Sequence, residues 1–167
     1  MSAWGLSLVT LCLLMVAVIP SAARGVPTAP TFASFVAPPS LGNDAGEPSI
    51  GSNWATGNVM YQAGLETLRV SGFNDATGAA TWASVGSTIT STASLDPILF
   101  TDHTTGRTFV SQLSADCSLM AFTDNDGASW FQNPVGCGIA SGADHQTVGG
   151  GAFAPGLSGI GYPDTVY

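Results

Sequence analysis

The sequence contains no lysine, and its only cationic side chains are Arg24, Arg69 and Arg107. Against them stand eleven Asp and Glu residues, for a net charge of −8. A chain so short of cations has no basic surface to offer a phosphate backbone, which argues against nucleic acid as a partner. The same shortage argues against an anionic membrane surface. Cysteine is scarce too. Of three, Cys12 lies in the N-terminal apolar run, which leaves Cys117 and Cys137 as an even pair. Two free thiols or one bridge fit that count, and in an exported chain the bridge is favoured. There is no Gly-x-Ser-x-Gly elbow, and no lysine for a phosphate loop.

Long hydrophobic runs are limited to one, Trp4 to Pro20, followed by Ser21-Ala22-Ala23. Small residues at 21 and 23 fit a signal-peptidase site, so residues 1–23 read as a signal peptide and the product as secreted. A retained membrane anchor is the alternative, since the run is near the lower length limit for spanning. After cleavage no membrane contact is expected. Residues 24–42 are rich in Pro, Ala and Ser without a period, and read as an unpacked lead-in.

Beyond residue 42 helical periodicity is missing. No stretch keeps a 3.6-residue apolar period for three turns, whereas short β-type runs alternate with Gly, Thr and Ser turns. These runs repeat. Glu47-Pro48 returns as Asp96-Pro97 and Ala55-Thr-Gly57 as Thr104-Thr-Gly106, both 49 positions on. Phe73 returns as Phe122 at the same offset, and Thr81-Trp82 as Ser129-Trp130 at 48. A third copy begins at Asp144-His145 and reaches Tyr167 about halfway through. A period near 50 residues made of short strands predicts an all-β fold, a β-propeller with four-stranded antiparallel blades of about 49 residues. The blades fall near 47–95, 96–143 and 144–167, the last incomplete, within a domain of 43–167. Two and a half blades leave an open sheet edge, so the expectation is a piece of a longer protein, marginal alone. In the second copy strands are predicted near Pro97–Thr101, Arg107–Leu113, Ser118–Thr123 and Ser129–Asn133.

The turn between the last two of these strands reads Thr123-Asp-Asn125-Asp-Gly127-Ala-Ser129-Trp130. It is no EF-hand loop, because Phe122 and Asn133 stand where the first and last acids belong. It resembles the Asp-box, Ser/Thr-x-Asp-x-Gly-x-Thr/Ser-Trp, of the bacterial neuraminidase (sialidase) repeat, with Asn125 in place of Asp. The first copy, Asp75-Ala-Thr-Gly78-Ala-Ala-Thr81-Trp82, is looser by two positions. The resemblance implies a structural role for Thr123, Asn125, Gly127, Ser129 and Trp130, at the blade end away from the active site. Asn125 and Asp126 then read as turn chemistry, and Trp82 and Trp130 as core anchors. On this blade geometry Cys117 and Cys137 meet at one end of adjacent antiparallel strands, where a disulfide is reasonable.

The candidate functional residues lie at the starts of the first strands. Glu47, Asp96 and Asp144 occupy equivalent positions and could form an acidic ring, for a cation or for acid–base work on a sugar. The alternative is a repeated turn cap before proline. His145 replaces that proline in the third copy, and Gln146 follows it. Binding-face candidates are therefore Glu47, Asp96, Asp144, His145 and Gln146, with Asp96, Asp144 and His145 as catalytic candidates. His103 reads as a solvated turn residue at the opposite end, so the two histidines make no zinc site. Neither cofactor nor metal is implied. Sialidases hold their substrate with three arginines, the first in a Phe/Tyr-Arg-Ile-Pro motif. Here that stretch reads Gly46-Glu47-Pro48-Ser49-Ile50; Arg107 falls at the wrong end and Arg69 near the right one. The expectation is an extracellular carbohydrate- or protein-binding propeller. The alternative is a glycoside hydrolase whose other catalytic groups lie in further blades. The sequence leaves the oligomeric state open.

Overall fold

The computed structural model describes residues 29–42, 47–90, 96–114, 117–133, 136–137 and 146–167. The chain divides into two units, 1–31 and 32–167. In the first, only residues 29–31 are described, and they carry no regular structure. The expected signal peptide lies outside the described residues.

The second unit is all-β, with no helix among the described residues. Its first sheet is a meander of β1 (Ser49–Asn53), β2 (Asn58–Ala63), β3 (Glu66–Asn74) and β4 (Ala79–Ser84) in the order β1-β2-β3-β4. The second runs β5 (Ile98–Thr101), β6 (Thr108–Ser114), β7 (Cys117–Thr123) and β8 (Phe131–Gln132), with β9 (Gly136–Cys137) also paired to β7. All of these pairings are antiparallel. The fourth strand expected in this copy, Ser129–Asn133, is thus reduced to β8, and β9 lies beyond it. A third, two-stranded sheet joins β10 (Gly150–Ala152) to β11 (Asp164–Val166).

The repeat is visible in the turns. Asn53 and Asp102, 49 residues apart, each close the first hairpin of a sheet. The side-chain oxygen of Asn53 accepts from Ala55 N at 3.0 Å, and that of Asp102 from Thr104 N at 2.7 Å. Four residues on, the amides of Gly57 and Gly106 donate to the carbonyls of Asn53 and Asp102, both at 2.8 Å. With φ at 72° and 76°, these positions suit glycine, which has no Cβ to clash in the left-handed region.

The sheets stack face to face in chain order. Strand alternation settles which side chains meet. Met60, Leu99 and Val110 form the core between the first two sheets, with Val85 and Trp130 packed against it. Gly51, paired with Met60, brings β1 so close to β5 that a Cβ there would collide with the Thr101 side chain. The opposite side of the second sheet carries Phe100, Phe109, Phe122 and Phe131 in direct cross-strand register. Their ring centroids lie 5.3–6.4 Å apart, within the range of favourable aromatic pairs. The third sheet lies on this ladder, with Gly150 over Phe100 and Tyr162 edge-on to Phe109 at 5.9 Å.

Cys117 and Cys137 form a disulfide between directly opposed residues of β7 and β9, with Cα atoms 4.0 Å apart. The alternative of two free thiols is thereby set aside. The lead-in also differs from expectation. Its described residues form no strand, but Phe35 packs edge-on to Phe73 at 5.0 Å, and Gly42 N donates to a Glu66 carboxylate oxygen at 2.6 Å. Its apolar residues find a surface in the outer face of the first sheet, so residues 35–42 form a strap rather than a free linker.

Candidate functional site

The strand-start end carries the acidic candidates. Glu47 stands two residues before β1 with φ at 49°, and Asp96 two residues before β5. Asp144 and His145 lie outside the described residues, so the proposed ring is described at two of its three positions. Gln146 is in contact with the second sheet. Its Nε2 donates to the main-chain oxygen of Asp96, and its Oε1 accepts from Ser111 Oγ at 2.7 Å. Ser49 Oγ accepts from Leu99 N at 2.8 Å. The start of each sheet is therefore tied to its neighbour by side chain to main chain bonds. Beneath them, the buried Gln62 and Gln112 both donate to Gly64 O, at 2.7 and 3.4 Å. This end is a polar seam with carboxylates at its rim. No cluster of three metal-ligating side chains occurs among the described residues.

The hairpin between β7 and β8 occupies the other end. Thr123 Oγ1 accepts from Gly127 N at 2.9 Å, and Asn125 Oδ1 accepts from Ser129 N at 2.9 Å. Asn125 Nδ2 donates to Ser129 Oγ at 2.9 Å, and Trp130 Nε1 donates to Val85 O at 2.7 Å. In the looser first copy the cap is Asn74, not Asp75. Asn74 Oδ1 accepts from Ala76 N and Thr77 N at 3.1 and 3.3 Å.

Asp126 does more than turn the chain. It is 5% exposed, sits at φ 53°, and accepts from Asn53 Nδ2 at 2.8 Å and Asn58 Nδ2 at 2.7 Å. Its carboxylate clasps both sides of the β1–β2 turn in the neighbouring sheet. Arg69 Nη1 reaches the main-chain oxygen of Asp126 at 3.4 Å. That contact directs Arg69 toward the hairpin end, contrary to its expected place near the acidic face. The repeat of Ala55-Thr-Gly57 as Thr104-Thr-Gly106 located the turn that Asn53 opens. Nothing in the sequence marked Asp126 as the partner of Asn53.

A second cluster at this end was not legible in the repeat. The 153–163 connection between β10 and β11 is longer than its two counterparts and carries Tyr162. The Tyr162 hydroxyl donates to Asp102 Oδ2 and lies 2.9 Å from Thr105 Oγ1. Arg107 lies between the rings of Phe122 and Tyr162, 4.0 and 4.4 Å from their centroids. It also forms a two-point ion pair with Asp124 at 2.6 and 2.9 Å. His103 is exposed, as expected of a turn, with its ring 5.5 Å from that of Trp54.

Burial alone would raise the Asp102 carboxyl, but hydrogen bonds from Tyr162 and Thr104 N, with smaller ones involving Asp164 and Thr105, leave it below the ordinary 3.8. Burial and the bond to Asp102 push the Tyr162 phenol up to about 12. The signs follow from linkage. A lowered carboxyl contributes stability above its unfolded value and loses it as pH falls through the folded one. A raised phenol contributes below 10.0 and loses its share as pH climbs toward 12. Tyr162→Phe is therefore expected to lower the melting temperature at neutral pH. It should also flatten the acid loss below the ordinary carboxylate range. Melting curves recorded across acid pH for both proteins check this; parallel curves would show that Tyr162 does not hold Asp102.

No family model, no curated protein and no solved structure matches the chain.

Proposed function

We propose that this chain is a secreted, sialidase-like Asp-box β-propeller whose strand-start end binds extracellular carbohydrate or protein without turnover. Four features support a propeller: two four-stranded meanders 49 residues apart, their adjacent first strands, a third sheet in the same sense, and an Asp-box-like hairpin closing the second. The Cys117–Cys137 bridge is consistent with an extracellular setting, and no helix among the described residues is long and apolar enough to cross a membrane.

One observation favours binding over sialidase chemistry. Both described arginines are engaged at the hairpin end, Arg107 by Asp124 and two rings, and Arg69 by Asp126 O. Neither supplies the anion clamp that a sialic acid carboxylate requires. With a net charge of −8, neutral sugars are the better fit. On this reading the carboxylates of Glu47 and Asp96 accept from sugar hydroxyls, Gln146 holds the Asp96 main chain at the binding face, and Asp144 and His145 are further contributors.

The purified chain on a glycan array, with a parallel assay against glycosides including sialosides, tests the proposal. Binding without released sugar, weakened about tenfold by Asp96→Asn, is the expected result. Release of sugar from any glycoside would overturn the binding reading and make Asp96, Asp144 and His145 the acid–base candidates. Neither binding nor release would remove carbohydrate and leave a protein partner.

A further inference from the structure

The first hairpin turn of the first two sheets carries an aromatic side chain at the same place. Trp54 and His103 are 49 residues apart, and each follows the residue that caps its turn, Asn53 or Asp102. The two turns pack against each other, so that a Cβ added to Gly106 would fall 2.6 Å from Asn53 Oδ1. The repeat therefore sets the two rings side by side, with centroids 5.5 Å apart and planes tilted by 59°.

Trp54 contributes little to the fold. It is 73% exposed, and His103 is exposed beside it. Large aromatic rings stabilise a fold by being buried, so a ring held in water needs another explanation. A missing sheet does not supply one. The sheets stack through their faces, and the second sheet is already in place against the first while Trp54 stays uncovered. The backbone beneath the ring is nonetheless firmly held. Asn53 Oδ1 accepts from Ala55 N, Gly57 N closes onto Asn53 O, and Asp126 clasps Asn53 and Asn58 from the next sheet. A ring presented on a rigid turn loses little further freedom when a ligand stacks on it.

The surroundings define the ligand. Asp102 and Asp126, the carboxylates that brace these turns, are 3% and 5% exposed and are bonded to protein donors. The exposed side chains around the rings are instead neutral hydroxyls, those of Thr56 and Thr104. A recess of about 210 Å³ adjoins Trp54 and is lined by Asn53, Gly57, Asn58 and Val59 among others. Pockets that enclose a small ligand run to roughly 300–1,000 Å³, so this recess suits one ring of a chain lying across the surface. A sugar ring has the matching chemistry. Its face of C–H bonds meets the electron-rich face of the indole, and its hydroxyls meet threonine, amide and imidazole groups at the rim.

We propose that Trp54 and His103 form a binding platform for a neutral oligosaccharide at the hairpin end, separate from the strand-start face. The platform stands on the exposed ring pair and its neutral rim, and does not rest on the strand-start reading.

Titration of the isotope-labelled chain with cellohexaose, mannohexaose and chitohexaose, followed by NMR at the Trp54 indole N–H and the His103 ring, tests it. Saturable shifts at both residues are expected with at least one sugar, and they should be unchanged in Asp96→Asn. Trp54→Ala, read at His103, is expected to weaken binding about tenfold or more. Trp54→Phe keeps a smaller ring and should retain part of the affinity. The Trp54 ring lies outside the core, so both variants should melt close to the wild type. Absence of shifts at Trp54 and His103 with every sugar would overturn the proposal. Shifts produced only by a hexalysine peptide would replace the sugar by a cationic partner. Shifts that vanish in Asp96→Asn would overturn the separate site and leave the strand-start face alone.

Discussion

Replacing Trp130 by alanine is expected to destabilise the stacked sheets by about 3–5 kcal/mol, the cost typical of removing a large aromatic from a packed site. The indole fills space beside Met60, Leu99 and Val110, and its N–H satisfies Val85 O. Alanine leaves both a cavity and a carbonyl without its donor. Trp130→Phe separates the two, since it keeps most of the apolar area and loses only the donor. A loss of about 1–2 kcal/mol is expected for it. Urea denaturation followed by circular dichroism measures both without relying on tryptophan emission. Against a usual domain stability of about 5–15 kcal/mol, the loss expected for alanine is a large share of the total. A loss below about 1 kcal/mol would mean that Trp130 does not hold the sheets together.

Asp126→Ala is expected to cost about 2–4 kcal/mol, although the residue lies in a turn. Its carboxylate accepts from Asn53 and Asn58, and the Asn53 side chain is 4% exposed. Removing the acceptor strands a buried amide. A turn residue acting only on its own hairpin would show no energetic dependence on Asn53. A double-mutant cycle between Asp126→Ala and Asn53→Ala is therefore the decisive comparison. Coupling of about 1 kcal/mol or more is expected, and strict additivity would confine Asp126 to its own turn.

Much of the local structure was legible. In the second copy, the first three strands fall within a residue or two of the predicted spans, because Gly and Asx residues punctuate runs of β-formers. The fourth, predicted over Ser129–Asn133, is the two-residue β8, and the separate β9 beyond it was not predicted. In the loose first hairpin the sequence pointed to Asp75 where Asn74 caps the turn. The two side chains are adjacent and chemically equivalent acceptors, and only the backbone path separates them. Arg69 is the instructive miss on the site. Its position along β3 was readable, whereas the direction of a long flexible side chain depends on which carbonyl the next sheet brings within reach.

By itself, then, the sequence determined the all-β character, the 49-residue period, the second-copy turns and the pairing of Cys117 with Cys137. These rest on local stereochemistry, on the repetition itself, or on two cysteines 20 residues apart that one hairpin brings together. Tertiary structure alone decided that Asp126 clasps Asn53 and Asn58, that Tyr162 reaches Asp102, and that Trp82 and Trp130 meet different surroundings despite equivalent positions. Those outcomes depend on which sheet lies beside which, and a repeat looks the same in sequence whether or not its neighbour is present.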